Sequence, residues 1–167
     1  TVLDRVPGWD GANRPAVHFV GRTAICSIPY LSRSWLRTQP GFEAASDADV
    51  YRTLAEQYLV IARGLFATAM GKGAREAVLV GHQVLSGGAM NDAQSAFLGD
   101  LDLVVDAAQL AAIGYSLVAF GHLHRAQTVV EGPPPVLYAG SLSRVDFGEQ
   151  PEAKSFLLVD VDGPQVS

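Results

Sequence analysis

Apolar positions along this chain change their period several times, and each change marks a new element. Val17-His18-Phe19-Val20 and Thr23-Ala24-Ile25-Cys26-Ser27-Ile28 are short runs joined by Gly21-Arg22, which predicts a tight hairpin. Pro29 stops the second run, and Tyr30 to Ala45, with Pro40-Gly41 inside it, predicts an irregular surface crossing. The period then becomes helical. Ser46 with Asp49 three residues on resembles a capping box, and Val50, Leu54, Tyr58, Ile61 and Leu65 trace one apolar stripe. Gly71 and Gly73 close that helix.

Ala77-Val78-Leu79-Val80 follows as a strand, ending at Gly81-His82. A loop of small residues runs from Ser86 to Asn91, and the stretch on to Leu101 has no clear period. Asp106 with Gln109 predicts a short helix through Ile113, closed by Gly114. Leu117-Val118-Ala119-Phe120 is a second apolar strand, and it delivers Gly121-His122-Leu123-His124. Both apolar strands predict burial on two faces. Gln127 to Glu131 and Val136 to Ala139 form a hairpin across Gly132-Pro133-Pro134-Pro135, and Ser155 to Val161 reads as a last strand. The fold class is therefore mixed α/β with an antiparallel tail, in one domain spanning residues 1–167.

Composition narrows the function. A hydrophobic content of 49% in 167 residues suits one globular core, and the longest apolar stretch falls short of the roughly 20 residues a membrane span needs. The N-terminus lacks the basic-then-apolar pattern of a secretory signal, so the expectation is a cytoplasmic setting and no membrane partner. The single cysteine, Cys26, cannot form an internal disulfide and reads as a small buried hydrophobe. A net charge of -5 argues against coating nucleic acid by counterion release, though bound divalent ions would bring positive charge of their own.

The chemistry lies in the histidines. His82 and the His122/His124 pair each follow a strand and a glycine that permits a sharp turn, so three of the four imidazoles are expected to converge on one rim. Neutral imidazole is a common metal ligand, and histidines at i and i+2 can serve neighbouring ions or opposite sides of one site. Each could equally be a hydrogen-bonded strand-end histidine. His18, inside a strand with no partner nearby in sequence, reads as structural. Arg125 could reach a substrate phosphate or simply lie on the surface. The chain has no Cys-x-x-Cys, His-Glu-x-x-His, P-loop or Gly-x-Ser-x-Gly, which removes zinc-finger, zincin, nucleotide-triphosphatase and serine-hydrolase readings.

Gly81-His82, Phe97-Leu98-Gly99-Asp100-Leu101-Asp102, Gly121-His122-Leu123-His124-Arg125-Ala126-Gln127, and Tyr138-Ala139-Gly140-Ser141 running to Asp146-Phe147-Gly148-Glu149 together resemble one family. They are similar in order and spacing to SbcD-type DNA repair exonucleases of the calcineurin-like metallophosphoesterase superfamily, over roughly residues 17 to 162. Ser27-Ile28-Pro29-Tyr30-Leu31 resembles an earlier strand end of the same domain, while Leu142 stands where many relatives have proline. The resemblance implies two mixed β-sheets packed face to face with helices outside, and strand-end loops holding two divalent metal ions, usually Mn2+. It implies that His82 and His122 ligate one metal, that His124 ligates the other, and that the substrate is DNA, handled with an SbcC-type ATPase partner.

The family's Asp-x-His, Gly-Asp-x-x-Asp and Gly-Asn-His-Asp/Glu motifs occur nowhere in this sequence. No catalytic residue is therefore assigned, and the expectation is the C-terminal half of a phosphoesterase domain, without the later capping and ATPase-docking segments. Three imidazoles without a bridging carboxylate hold manganese weakly, because hard cations favour charged oxygen ligands. Little or no nuclease activity is expected of this chain alone, and open strands should favour self-association or pairing with the missing N-terminal half. Two other readings stay open: a non-catalytic partner-binding scaffold, and a phosphoesterase acting on small phosphoesters or nucleotides.

Overall fold

A six-stranded mixed sheet carries the molecule, in the order β1-β2-β3-β6-β8-β7. The computed structural model describes residues 15–38, 41–90, 102–162 and 165–166. The strands are β1 (Ala16–Val20), β2 (Thr23–Ile28), β3 (Glu76–His82), β6 (Leu117–Gly121), β7 (Gln127–Val130) and β8 (Val136–Tyr138). β1 pairs antiparallel with β2 across Gly21-Arg22, and β2, β3, β6 and β8 run parallel to one another before β7 returns antiparallel. A small second sheet pairs β4 (Val84–Leu85) with β5 (Val104–Val105), and β9 (Val161–Asp162) pairs with β10 (Gln165–Val166). The mixed α/β class expected from the sequence is the fold observed. The opening 1–13, the stretch 91–101 and Gly163 lie outside the described residues.

Helix α2 (Asp47–Gly71) makes the crossover from β2 to β3 that parallel pairing requires. Ser46 caps it, its Oγ accepting from the Asp49 N–H at 3.2 Å, a contact typically worth ~1 kcal/mol. Asp47 and Asp49 add negative charge at the positive end of the helix dipole. The stripe Val50, Leu54, Tyr58, Ile61 and Leu65 is fully buried, against Ala24, Cys26 and Ile28 of β2 and Ala77 and Leu79 of β3 within one core. Lys72 and Gly73, the latter at φ 86°, end the helix, and Asp106 caps a second one, α3 (Ala107–Ala111).

Three expectations are corrected. A short helix, α1 (Arg33–Arg37), interrupts the crossing from Tyr30 to Ala45, held by buried Leu36 and by the Arg37–Asp47 ion pair at 2.5 Å. The strand expected over Ser155 to Val161 is absent up to Asp160, because no sheet edge among the described residues pairs with it. Phe156 and Leu158 are 76% and 89% exposed there. Strand β3 is also buried on one face rather than two: Ala77, Leu79 and Gly81 point into the core, while Val80 is exposed.

Candidate metal centre

Parallel register brings three chemical side chains to one sheet edge. Ile28 of β2 stands opposite Gly81 of β3, and His82 opposite Gly121 of β6. Tyr30, His82 and His122 therefore rise from the carboxyl ends of three adjacent strands, the edge where open α/β sheets bind ligands. The His82 and His122 ring centroids are 5.1 Å apart at an interplanar angle of 74°. Tyr30 lies 5.6 Å from His122 and 6.4 Å from His82.

The glycines serve a different purpose from the turn expected of them. The left-handed backbone falls on His122 itself, at φ 94°, while neither Gly81 nor Gly121 has a positive φ. A non-glycine residue in that region is strained and persists only where its surroundings fix it, a pattern concentrated at functional sites. Gly81 and Gly121 are instead needed for close approach. A Cβ on Gly121 would stand 2.8 Å from His82 Nδ1 and 3.3 Å from its Cε1. Gly121→Ala is therefore expected to turn the exposed His82 ring away and weaken transition-metal binding, with a small change in unfolding midpoint. Unaltered metal affinity in calorimetric titration would count against this packing role.

Asp102 anchors His122. Its Oδ2 lies 2.5 Å from His122 Nε2, while its Oδ1 accepts from Tyr30 Oη at 2.8 Å and the Leu103 N–H at 3.0 Å. Gln83, fully buried, donates to the same oxygen at 3.4 Å, and its own Oε1 accepts from the Leu31 N–H. Burial works to raise the Asp102 carboxyl, and the bonds from His122, Tyr30 and Leu103 outweigh it, leaving the group below the usual carboxylate range. Tyr30 is pushed up to about 12 by burial and by Asp102. Burial and the neighbouring His122 hold His82 below an ordinary histidine, which favours the neutral, metal-competent imidazole. Tyr138, from β8, fixes the chain just after His82: its hydroxyl donates to the Gln83 carbonyl and accepts from the Leu85 N–H.

His124 turns to a second carboxylate. Its Nδ1 is 2.6 Å from Oε1 of Glu149, a residue with no exposed side-chain surface. Lys154 Nζ at 2.8 Å and the Val145 N–H at 3.1 Å occupy Oε2. The Lys154 ammonium leads in holding the Glu149 carboxyl down at about 2, with His124 and the Val145 amide adding to it against burial. Asp146 completes a cluster in which ligand atoms of His124, Asp146 and Glu149 lie within 4.8 Å of one another. Arg125 is exposed and lines an open cavity of about 410 Å³ with Ala126, Pro151, Glu152 and Ala153.

The structure thus brings His82 and His122 together, places His124 on Glu149, and sets Arg125 on an open cavity that Glu152 also lines. His18 is exposed on edge strand β1, and Cys26 is buried, its thiol raised by that burial. Asp102 and Glu149 received no role from the sequence, although both sit in stretches quoted for the family resemblance. Their partners are 20 and 25 residues away in the chain, and only the folded sheet joins them. The donor set suits an ion that accepts imidazole nitrogen. Among the described residues it lacks a carboxylate bridging the histidines, so the fit to two manganese ions is partial.

Neither a family model nor a curated protein matches this sequence. Among solved structures the chain is similar to one described as "GAP50 the anchor in the inner membrane complex of Plasmodium", at 17% identity and a TM-score of 0.33. The match covers 85% of this chain and spans 39% of the length of that one.

Proposed function

We propose that the strand-end histidines are part of a two-metal phosphodiesterase centre, and that the chain is the C-terminal portion of an SbcD-type nuclease. In this reading it acts on DNA in the cytoplasm with an SbcC-type ATPase partner. The observation that carries the metal site is the His82–His122 pair, 5.1 Å apart on the carboxyl ends of two parallel strands, with His122 held in strained backbone by Asp102. The choice of nuclease over other phosphoesterases rests on the resemblance of the Tyr138 to Glu149 stretch.

His82 and His122 would hold one ion and His124 the other, while charged oxygen ligands come from polypeptide beyond these residues. Bound there, such ions would supply an activated water and charge stabilisation for hydrolysis of a phosphodiester. The chain's own residues orient and bind. Tyr30 and Gln83 hold Asp102, Gly121 leaves room for the His82 ring, and Arg125 would contact a substrate phosphate from the cavity it lines.

With its oxygen ligands incomplete, the chain alone is expected to leave DNA uncut in manganese, as read on a labelled duplex. Efficient cleavage by residues 1–167 would overturn the incomplete-site account. A protein extended N-terminally through the three absent motifs is expected to cut in manganese, and failure there would overturn the nuclease reading.

A second reading, a partner-binding scaffold, draws support from a different observation. Leu142, Val145, Phe147, Phe156 and Leu158 are all more than 60% exposed within one C-terminal segment, an apolar content typical of interaction surfaces. Metal binding separates the two, since the scaffold has no use for it.

A further inference from the structure

We infer that the Tyr30 ring is a stacking platform for an unpaired nucleobase whose own phosphate meets the His82–His122 pair, a role that rests on the phosphodiesterase reading above. Tyr30 stays 43% exposed beside the candidate metal centre. A single exposed aromatic is ordinary on a protein surface, and what sets Tyr30 apart is how firmly it is held. Its hydroxyl donates to Asp102 Oδ1 at 2.8 Å, and only 5% of the Asp102 side chain is exposed. Pro29 restricts the backbone just ahead of it. Directly behind, the Leu31 N–H donates to Oε1 of the buried Gln83 at 3.1 Å. The His122 ring lies at a centroid distance of 5.6 Å and a tilt of 31°, within the range of paired rings, so it backs Tyr30 on one side. An aromatic ring fixed in this way takes a flat partner with little further loss of conformational freedom.

Position selects the partner. Tyr30 follows β2 at the same sheet edge where His82 ends β3 and His122 follows β6, and its centroid is 6.4 Å from that of His82. A phosphate held at the two histidines carries its base one sugar away, which is the reach to Tyr30. Bases in a duplex are already stacked on both faces, whereas an unpaired base offers a free π-face. Such stacking is tolerant of sequence and is commonly worth roughly 5- to 150-fold in affinity per base.

Ring-proton spectra of the chain, titrated with deoxyadenosine 5′-phosphate and with deoxyribose 5-phosphate as the base-free control, read the platform with and without zinc. The Tyr30 signals, identified by their loss in Tyr30→Phe, are expected to move upfield with the nucleotide and not with the control. With zinc present the nucleotide should bind roughly 5- to 150-fold more tightly than the control. Tyr30→Leu should erase that preference, and Tyr30→Phe, which keeps the ring and loses the bond to Asp102, should retain most of it. If Tyr30→Leu does not fold, the wild-type shift and Tyr30→Phe still decide. No shift of the Tyr30 ring, a base preference that survives Tyr30→Leu, or equal loss of preference in the Phe and Leu variants overturns the inference, the last leaving Tyr30 as a support for Asp102 alone. A Tyr30 shift that zinc does not strengthen would uphold the platform and count against the metal reading.

Discussion

Alanine in place of His122 or His82 is expected to lower manganese-dependent DNA cleavage by orders of magnitude in protein carrying the remaining oxygen ligands. An orienting partner outside the ligand shell is worth about 10–100-fold, so loss of the ligand itself costs more. The fold should survive. His82 is exposed, and in the His122 variant Asp102 retains donors from Tyr30, Leu103 and Gln83. The left-handed backbone at 122 would still be strained with alanine, so the unfolding midpoint should stay near that of the parent chain rather than rise. Unchanged cleavage in either variant would remove that residue from the ligand set; a collapse of the unfolding transition would make it a structural residue instead.

The largest stability effect is expected at Gly81. A Cβ there would lie 2.3 Å from Tyr58 Oη, 2.5 Å from Phe120 Cζ and 2.7 Å from Phe120 Cε1. Both neighbours are buried to within 1% and come from different elements, Tyr58 from α2 and Phe120 from β6. Their rings pack at a centroid distance of 6.0 Å, so neither can yield without moving the helix or the sheet. Overpacking of this kind typically costs about 1–3 kcal/mol, a large part of the 5–15 kcal/mol that commonly separates folded from unfolded domains. Gly81→Val should therefore lower the denaturant midpoint sharply and displace His82, the next residue. A midpoint equal to that of the parent chain would show that α2 and β6 are less tightly apposed than described.

Local features were legible in the sequence because local physics makes them. The Gly21-Arg22 hairpin, the Ser46 cap with its stripe from Val50 to Leu65, and the Asp106 cap each depend on residues within a turn or two of one another. The Ser155 to Val161 segment has the apolar pattern of a strand, yet a strand exists only where another edge accepts it. Helix α1 was hidden for a related reason: five residues with no apolar period owe their shape to Leu36 in the core and Arg37 on Asp47.

The site divided in the same way. His82, His122 and His124 were visible because each follows a strand and a glycine. Which residues orient them was not, since Asp102 and Glu149 meet their histidines only after β3, β6 and the 141–154 segment have come together. The glycines are legible in the sequence, but their purpose is not. Only the folded packing reveals that Gly81 and Gly121 admit Tyr58, Phe120 and the His82 ring, while His122 takes the strained backbone.

In the proposed centre His82 and His122 share one ion while His124 serves another. Cobalt(II) accepts imidazole more readily than manganese does, so titration of the chain followed by visible absorption reads this pair without the missing oxygen ligands. His82→Ala and His122→Ala are expected to abolish the same binding event, and His124→Ala to preserve it. Equal titrations of the parent chain, His82→Ala and His122→Ala would contradict it.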